Sequence, residues 1–479
     1  MLFNSVEFLV FFPLVTALYF AVPSRLRWPV LLAASCWFYM AWIPAYAAVL
    51  LTSTVVAYLA ARIIARTHDR RKKTAMLCIA LTLVAGILFL FKYFGFFNTT
   101  LTSLLGRLNI SYAPPALHLL LPLGISFYTF KLLSYVIDVY RGSLAPERNF
   151  GAFALYASFF PQVLAGPIER AGRFLPQLRD LRGFDAARVS SGLKLMLWGL
   201  FKKAVVADHL AVVVNQVYGN VQGYSGAPLI AATYLYAFQI FCDFSGYSDM
   251  AIGAARVMGI GTMENFRRPY HAASVADFWH RWHISLSSWF RDYLYFPLGG
   301  SRVALRRWAL NVLIVFLVSG LWHGAAWTFV VWGGLHGLFL VGERLTQGVR
   351  DRACRLLGLG KGLRKALGIF ATFHLVTFAW IFFRAANLSD ALYVVTHLFV
   401  GFGESLASLA SVCDAGHVWP ALAGIAIMEA VHVLQVRKSP IAFLSSRPVW
   451  IRWTAYAALV LTIINLRPDY KAPFMYMQF

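Results

Sequence analysis

His283, His323 and His336 fall within one stretch of this chain, from Trp279 to His336. His283 sits in FWHRWHISLSSWFRDYLYFPLGG, a patch dense in His, Arg and Trp, whereas His323 and His336 sit in the apolar run VSGLWHGAAWTFVVWGGLHG. Imidazole, with an ordinary pKa of about 6.5, accepts a proton at neutral pH, and desolvation keeps it neutral. An ionisable side chain in a membrane-buried run is costly, so such histidines are functional candidates. We expect His283 and His323 to face one another across a reaction chamber, with His323 able to act as general base. Plainer roles compete: an interhelical hydrogen bond for His323, and an amphipathic, headgroup-facing helix for His283. On a helix, Trp279, His283 and Ser287 would share one face at i, i+4 and i+8, with His280 rotated away. Gly320 and Gly324, flanking His323, would admit a substrate or a second helix close to the backbone. His336 is expected to support the site or pack helices. Trp279, Trp322, Asp243, Asp249 and Arg291 are further candidates to line or support the chamber. The two aspartates lie in an apolar segment and need partners; Arg or Tyr contacts that hold helices together are favoured over acid catalysis. A His–His metal site would need a third ligand at suitable spacing, so no metal is expected. GxSxG, Walker and GxGxxG motifs are absent.

These residues need a scaffold, and composition says which kind. Of 479 residues, 59% are hydrophobic and 13% charged, whereas a soluble protein carries about 25% charged residues. Mean hydropathy is +0.64. Apolar blocks of roughly 20 residues recur from Val6 to Leu466, which points to an all-α polytopic membrane protein. The net charge of +23 falls in short clusters between those blocks. That distribution fits cytoplasmic loops near anionic lipid headgroups and argues against nucleic acid. Cys36, Cys78, Cys242, Cys354 and Cys413 are scattered without a CxxC, so neither a zinc site nor a disulfide framework is expected from them. The N-terminus lacks a basic leader and reads as a retained first helix.

Loop charge orients the helices. Arg62, Arg66, Arg70, Arg71, Lys72 and Lys73 mark a cytoplasmic loop, preceded by passes near 6–22, 28–43 and 45–63. Residues 74–97 then cross outward and 116–139 return. The 151–167 segment is broken by Pro161 and Gly166-Pro167 and reads as re-entrant. Passes at 189–218 and 228–258 follow, and the basic, aromatic region 261–307 suits amphipathic helices at the cytoplasmic surface. Short apolar runs at 308–321 and 325–342 flank His323-Gly324, and another helix spans 366–383. Residues 385–416 carry no Lys or Arg and are expected outside, before 418–436 and 452–466 close the set. The expectation is about twelve passes in one domain, 1–479, with both ends external and an external tail, 467–479.

VSGLWHG and the upstream WHISLSSWFRDYLYFPLGG resemble the membrane-bound O-acyltransferases (MBOATs). PLGISFYTFKLLSYVIDVYRG, FFPQVLAGPIER and FCDFSGYSDMAIG resemble other blocks of the same family, in its bacterial, alginate O-acetylation branch. The likeness covers most of the chain. It implies a helical bundle with a central tunnel, His323 as the essential catalytic histidine, and His283 where members carry Asn or His. It also implies an acyl thioester donor, most simply acetyl-CoA, entering from the cytoplasm, with no bound cofactor. In the cell-surface branch the acyl group emerges across the bacterial inner membrane. There an SGNH-type extracytoplasmic partner would pass it to a polysaccharide. Phe474, Tyr476 and Phe479 in PFMYMQF resemble a terminal F-x-Y-x-x-F motif. In the related teichoic-acid D-alanylation machinery that motif belongs to a separate small protein, and its Tyr is proposed to accept the acyl group. The resulting expectation is an O-acetyltransferase serving alginate or a similar exopolysaccharide, with Tyr476 as acyl acceptor. A transporter, or a scaffold subunit of a polysaccharide synthase, is the alternative.

Overall fold

The structure is a computed structural model that describes residues 1, 3–112, 119–164, 166–413, 415–435, 443–444, 446–466, 468 and 474–475. All regular elements among the described residues are helical. Apolar surroundings favour this, because a helix satisfies its backbone polar groups within one segment. The chain divides into two compact units, Met1–Leu193 with Ala251–Met263, and Lys194–Met250 with Glu264–Phe479.

The first unit contains α1 (Val6–Ala21), α2 (Ser24–Met40), α3 (Tyr46–Arg66) and α4 (Arg70–Leu88). A π-helical turn, Phe89–Tyr93, leads from α4 into α5 (Phe94–Arg107), and α6 (Ile125–Tyr140) follows. Side-chain caps start two of these helices: Ser5 Oγ accepts the Phe8 N–H at 3.3 Å, and Asp69 Oδ1 accepts the Arg71 N–H at 2.8 Å. The segment expected to be re-entrant breaks into α7 (Phe150–Ser158) and α8 (Phe160–Val163), with α9 (Ala171–Phe174) beyond. A break inside an apolar interior must find partners for its backbone. Ser35 Oγ accepts the Phe160 N–H at 3.0 Å, and buried Lys131 of α6 donates to the Tyr156 carbonyl at 2.5 Å and to Gln162 Oε1 at 3.3 Å. Gly124, at φ +70°, lies so close that a Cβ there would stand 1.9 Å from the Val163 carbonyl oxygen.

The second unit begins within α10 (Ala186–Phe201), which continues through a π-helical turn, Lys202–Ala207, into α11 (Asp208–Tyr218). It takes most of α12 (Ala227–Val257), then α13 (Val275–Trp279), α14 (Ile284–Phe290), α15 (Leu305–His323) and α16 (Trp327–Leu345). The rest comprises α17 (Gln347–Leu356), α18 (Lys361–Arg384), α19 (Leu388–His397), α20 (Phe402–Val412), α21 (Ala415–Leu434) and a helix at Val449–Asn465. Three fully buried tryptophans centre its core. Trp332 stacks on Trp380 at 5.7 Å between ring centroids, and Trp282 lies 5.1 Å from Trp380.

Apolar blocks expected to cross a membrane coincide with helices. Length and composition, however, qualify six described helices as spans: Tyr46–Arg66, Arg70–Arg107, Ala227–Val257, Leu305–His323, Lys361–Arg384 and Gly416–Leu434. Val6–Ala21 and Val449–Asn465 are shorter apolar helices. The count of about twelve passes is therefore not confirmed. Several apolar blocks fold as helices shorter than the roughly 20 residues that a straight crossing needs.

Candidate active site

His323 is the last residue of α15, which ends where Gly324 turns extended (φ −161°, ψ 150°). α15 and α16 approach through small residues. A Cβ at Gly320 would stand 2.2 Å from the Phe329 carbonyl oxygen, and one at Gly333 would stand 2.2 Å from that of Phe316. At Gly324 a Cβ would meet the Phe329 ring at 2.1 Å. The glycines beside His323 thus serve close helix packing, one of the two uses expected for them. The His323 side chain is buried among rings, with centroids 5.0 Å from Trp322, 4.9 Å from Trp332 and 5.4 Å from Phe383.

His283 arrives by a different route from the one expected. Trp279, His283 and Ser287 do not share a continuous helix, because α13 ends at Trp279 and α14 starts at Ile284. His283 lies between them in the left-handed region (φ 44°, ψ 52°), which is uncommon for a non-glycine residue. The backbone there is held by a tertiary contact with the irregular segment upstream, around Asn265. The Arg267 N–H donates to the Arg281 carbonyl at 2.9 Å, and the Ile284 N–H donates to the Asn265 carbonyl at 3.0 Å. Those bonds take backbone groups that a through-going helix would have used.

Asn265, fully buried, also sets the chemistry of the ring. Its Oδ1 accepts the Ser285 N–H at 3.3 Å and the Ser285 hydroxyl at 2.9 Å, and lies 3.1 Å from His283 Nδ1. Its Nδ2 donates to Ser248 Oγ at 2.9 Å. A backbone N–H can only donate, so Oδ1 is the acceptor and His283 carries its proton on Nδ1. The lone pair is then on Nε2. Burial pushes the His283 imidazole down to about 3, so it is neutral at physiological pH. The ring centroids of His283 and His323 are 6.3 Å apart, and Trp322 lies 5.9 Å from His283.

His336 stands apart from this pair. Trp332 separates the two groups, with its centroid 4.9 Å from His323 and 5.0 Å from His336. His336 Nδ1 accepts the Trp279 indole N–H at 3.3 Å, which ties α13 to α16. Asp249 pairs with Lys202 at 2.7 Å, and Asp243 pairs with Lys203 at 2.7 Å; Lys203 also reaches Asp208 at 2.7 Å. The partners of buried Asp243 and partly exposed Asp249 are therefore adjacent lysines of the π-helical turn, where Arg or Tyr was expected. Sequence reasoning missed both Asn265 and this lysine pair. The signal for the lysines was present as KK inside LWGLFKKAVV; Asn265 carried none.

Asp243 has a second role. Its Oδ2 accepts the Met475 N–H at 2.9 Å, while the Tyr236 hydroxyl donates to Met475 Sδ at 3.3 Å. The Phe474 ring lies 4.1 Å from Tyr247 and 6.0 Å from Phe244, and Phe244 lies edge-on to His283 at 4.7 Å. Phe474 is thus buried one aromatic ring away from His283, with buried Met475 next to it held by Asp243 and Tyr236. Tyr476 and Phe479 lie outside the described residues.

A cavity of about 310 Å³ is lined by Trp279, His280, Ile284, Arg291, Phe316 and Ser319 among others, and neither His283 nor His323 belongs to its lining, so the chamber expected between the two histidines is not this cavity. Its walls are mainly apolar, with Arg291, half-exposed and paired to Asp292 at 2.9 Å, at its edge. A second recess of about 830 Å³ shares Ala276, Trp308 and Leu340 with it and carries Arg344, Arg350, Lys361, Arg364 and Lys365. A basic recess adjoining an apolar cavity suits an amphiphilic anion with a long, thin tail.

Taken together, this is a helical, multi-pass membrane protein with two neighbouring buried imidazoles. The comparisons give the class more narrowly. A model of MBOAT, the membrane-bound O-acyltransferase family, matches residues 147–383. The probable alginate O-acetylase AlgI of Azotobacter vinelandii is 37% identical over 406 residues, covering 84% of this chain and 79% of that protein. The peptidoglycan O-acetyltransferase of Helicobacter pylori is 35% identical over 441 residues, covering 85% of this chain and 82% of that protein. The teichoic acid D-alanyltransferase of Streptococcus thermophilus is 30% identical over 290 residues, covering 54% of this chain and 68% of that protein. The chain belongs to the membrane-bound O-acyltransferase family, resembles its alginate O-acetylase members, and is an O-acyltransferase.

Proposed function

We propose that the protein moves an acetyl group from a cytoplasmic thioester, most simply acetyl-CoA, to the hydroxyl of its own Tyr476. From there an extracytoplasmic SGNH-type transferase would deliver it to a polysaccharide. This reading sets the protein in the bacterial inner membrane, with the 1–479 chain acting as one membrane domain. The observation that carries it is the seat of Phe474 one ring from His283, with Met475, the residue just before Tyr476, held next to it by Asp243.

A phenol with a pKa of about 10 is a weak nucleophile at neutral pH without a base in reach. In the proposed step His323 takes the Tyr476 hydroxyl proton as the oxygen attacks the thioester carbonyl. The tetrahedral intermediate then collapses, the C–S bond breaks, and the imidazolium returns its proton to the thiolate. The products are the acetyl-tyrosine ester and free thiol. Neutral His283, held by Asn265, supplies a second oriented imidazole nitrogen beside this base. The basic recess and the apolar cavity support a route in which the first meets the donor's phosphates and the second its pantetheine arm. The names of the alginate and peptidoglycan relatives support a polysaccharide as final acceptor.

Intact-mass measurement of purified protein given acetyl-CoA tests the reading. One acetyl increment, mapped to the C-terminal peptide and lost in Tyr476→Phe, is the expected result. An enzyme that acetylates its polymer while its tail stays unmodified would instead favour direct transfer from donor to acceptor.

A further inference from the structure

Three metal-ligating side chains meet away from the histidine pair. His271 closes the turn Pro269–His271, while Glu429 and His432 stand three residues apart on one face of α21. Glu429 Oε2 lies 2.6 Å from His271 Nε2, and Glu429 Oε1 lies 3.3 Å from His432 Nδ1. The three ligand atoms are all within 4.8 Å of one another. His432 is buried and the other two are half-buried, so the cluster has a closed side and an open one. The acyl-transfer chemistry proposed above uses none of them.

The segments that bring the three together are firmly held. The Tyr270 hydroxyl donates to the Ala237 carbonyl at 2.5 Å, and its ring packs edge-on against Phe373 at 5.3 Å. Next to it, the Arg268 guanidinium donates to the His432 carbonyl at 3.4 Å, tying the turn to α21. Two imidazoles and one carboxylate form the donor set of three-ligand zinc sites, whose fourth position is left to water. Calcium and magnesium prefer all-oxygen shells, and soft cuprous ions prefer sulfur. Zinc bonds of about 2.0 Å in a tetrahedron put ligand atoms roughly 3.3 Å apart. The 2.6 and 3.3 Å contacts are made to different oxygens of Glu429, and with one ligand atom from each residue all three lie within 4.8 Å, so side-chain rotation must close the set by up to about 1.5 Å to reach that spacing.

We propose that His271, Glu429 and His432 bind one divalent transition-metal ion, zinc by donor chemistry, with water completing the tetrahedron. Binding exchanges protons for metal bonds. The ion takes the place of the proton between His271 Nε2 and Glu429, and of any proton on His432 Nδ1, and these protons leave to solvent. The turn it would clamp to α21 leads directly into α13 and thence to His283. The ion therefore staples the segment that carries one histidine of the site.

The full chain, purified in detergent without a polyhistidine tag or chelator, can be incubated with Zn²⁺ alone, desalted and assayed for metal by mass spectrometry. About one zinc per chain is expected, with Co²⁺ in its place giving the visible absorption of a tetrahedral ion. Glu429→Gln keeps the side-chain size but replaces the anionic carboxylate by a neutral amide, and should lower zinc retention at least tenfold, as should His271→Ala. Wild-type protein that retains no stoichiometric zinc and shows no cobalt band overturns the proposal and leaves a hydrogen-bonded His–Glu–His cluster. Undiminished zinc in folded variants would overturn it as well, by locating the ion elsewhere. The wild-type measurement stands by itself if a variant fails to fold.

Discussion

Asn265 decides which nitrogen of His283 carries the lone pair, because its Oδ1 is already committed to the Ser285 N–H and hydroxyl. Removing that acceptor frees the ring to change tautomer and orientation. Asn265→Ala should therefore slow acetyl transfer about 10–100-fold, the usual cost of losing an orienting partner. An unchanged rate, with His283→Ala inactive, would sink the tautomer argument. His323→Ala should cost about 10²–10⁴-fold, the usual worth of general base catalysis. Polymer modification that survives His323→Ala would favour a transporter or scaffold. Asp243 joins a buried lysine to the tail, so Asp243→Asn should leave the Lys203–Asp208 pair in place while weakening the hold on Met475. Hydrogen exchange on the C-terminal peptide should then quicken at least tenfold, with the rest of the chain unchanged, since a weaker bond opens more often. This readout tests the seating of the tail whether or not Tyr476 is acylated.

Two elements position these residues by departing from ideal helices. The π-helical turn Lys202–Ala207 widens the path between α10 and α11, and its two consecutive lysines engage separate aspartates of α12. The α15–α16 pair depends on the reverse effect, a close approach with no room for a methyl group. Gly333→Ala would drive a Cβ into the Phe316 carbonyl. We expect it to cost about 1–3 kcal/mol, as overpacking does. A lower thermal midpoint in detergent, accompanied by reduced activity, is the readout. A neutral Gly333→Ala would mean that the helices part without consequence for His323.

At the scale of the whole chain, a net charge of +23 favours anions near its clusters of Lys and Arg. The proposed donor, acetyl-CoA, is such an anion, and the recess with Lys361 and Lys365 concentrates positive charge next to the apolar cavity. Replacing both lysines by glutamate should raise the KM for the donor severalfold with kcat little changed. The effect should shrink as salt shortens the screening length below about 8 Å. A fall in kcat at unchanged KM would locate the donor's phosphates elsewhere.

Much of this architecture was legible in the linear chain. Apolar blocks, loop charge and the His323-Gly324 break are local signals, and they foretold helices with two buried histidines near one another. Spacing misled at His283, where a helical face was expected. There a segment 18 residues upstream captures the backbone and bends it into the left-handed region. Long-range pairings were invisible for the same reason. The carboxylate that holds Met475 lies 232 residues before it, and His271 meets Glu429 across 158 residues. Hydrophobicity and turn propensity act between near neighbours, so the sequence by itself determined that this is a helical membrane protein with buried imidazoles. Which nitrogen of His283 holds the lone pair, which lysines neutralise the aspartates and where the tail returns depend on hydrogen bonds and ion pairs between distant segments, which only tertiary packing brings within reach.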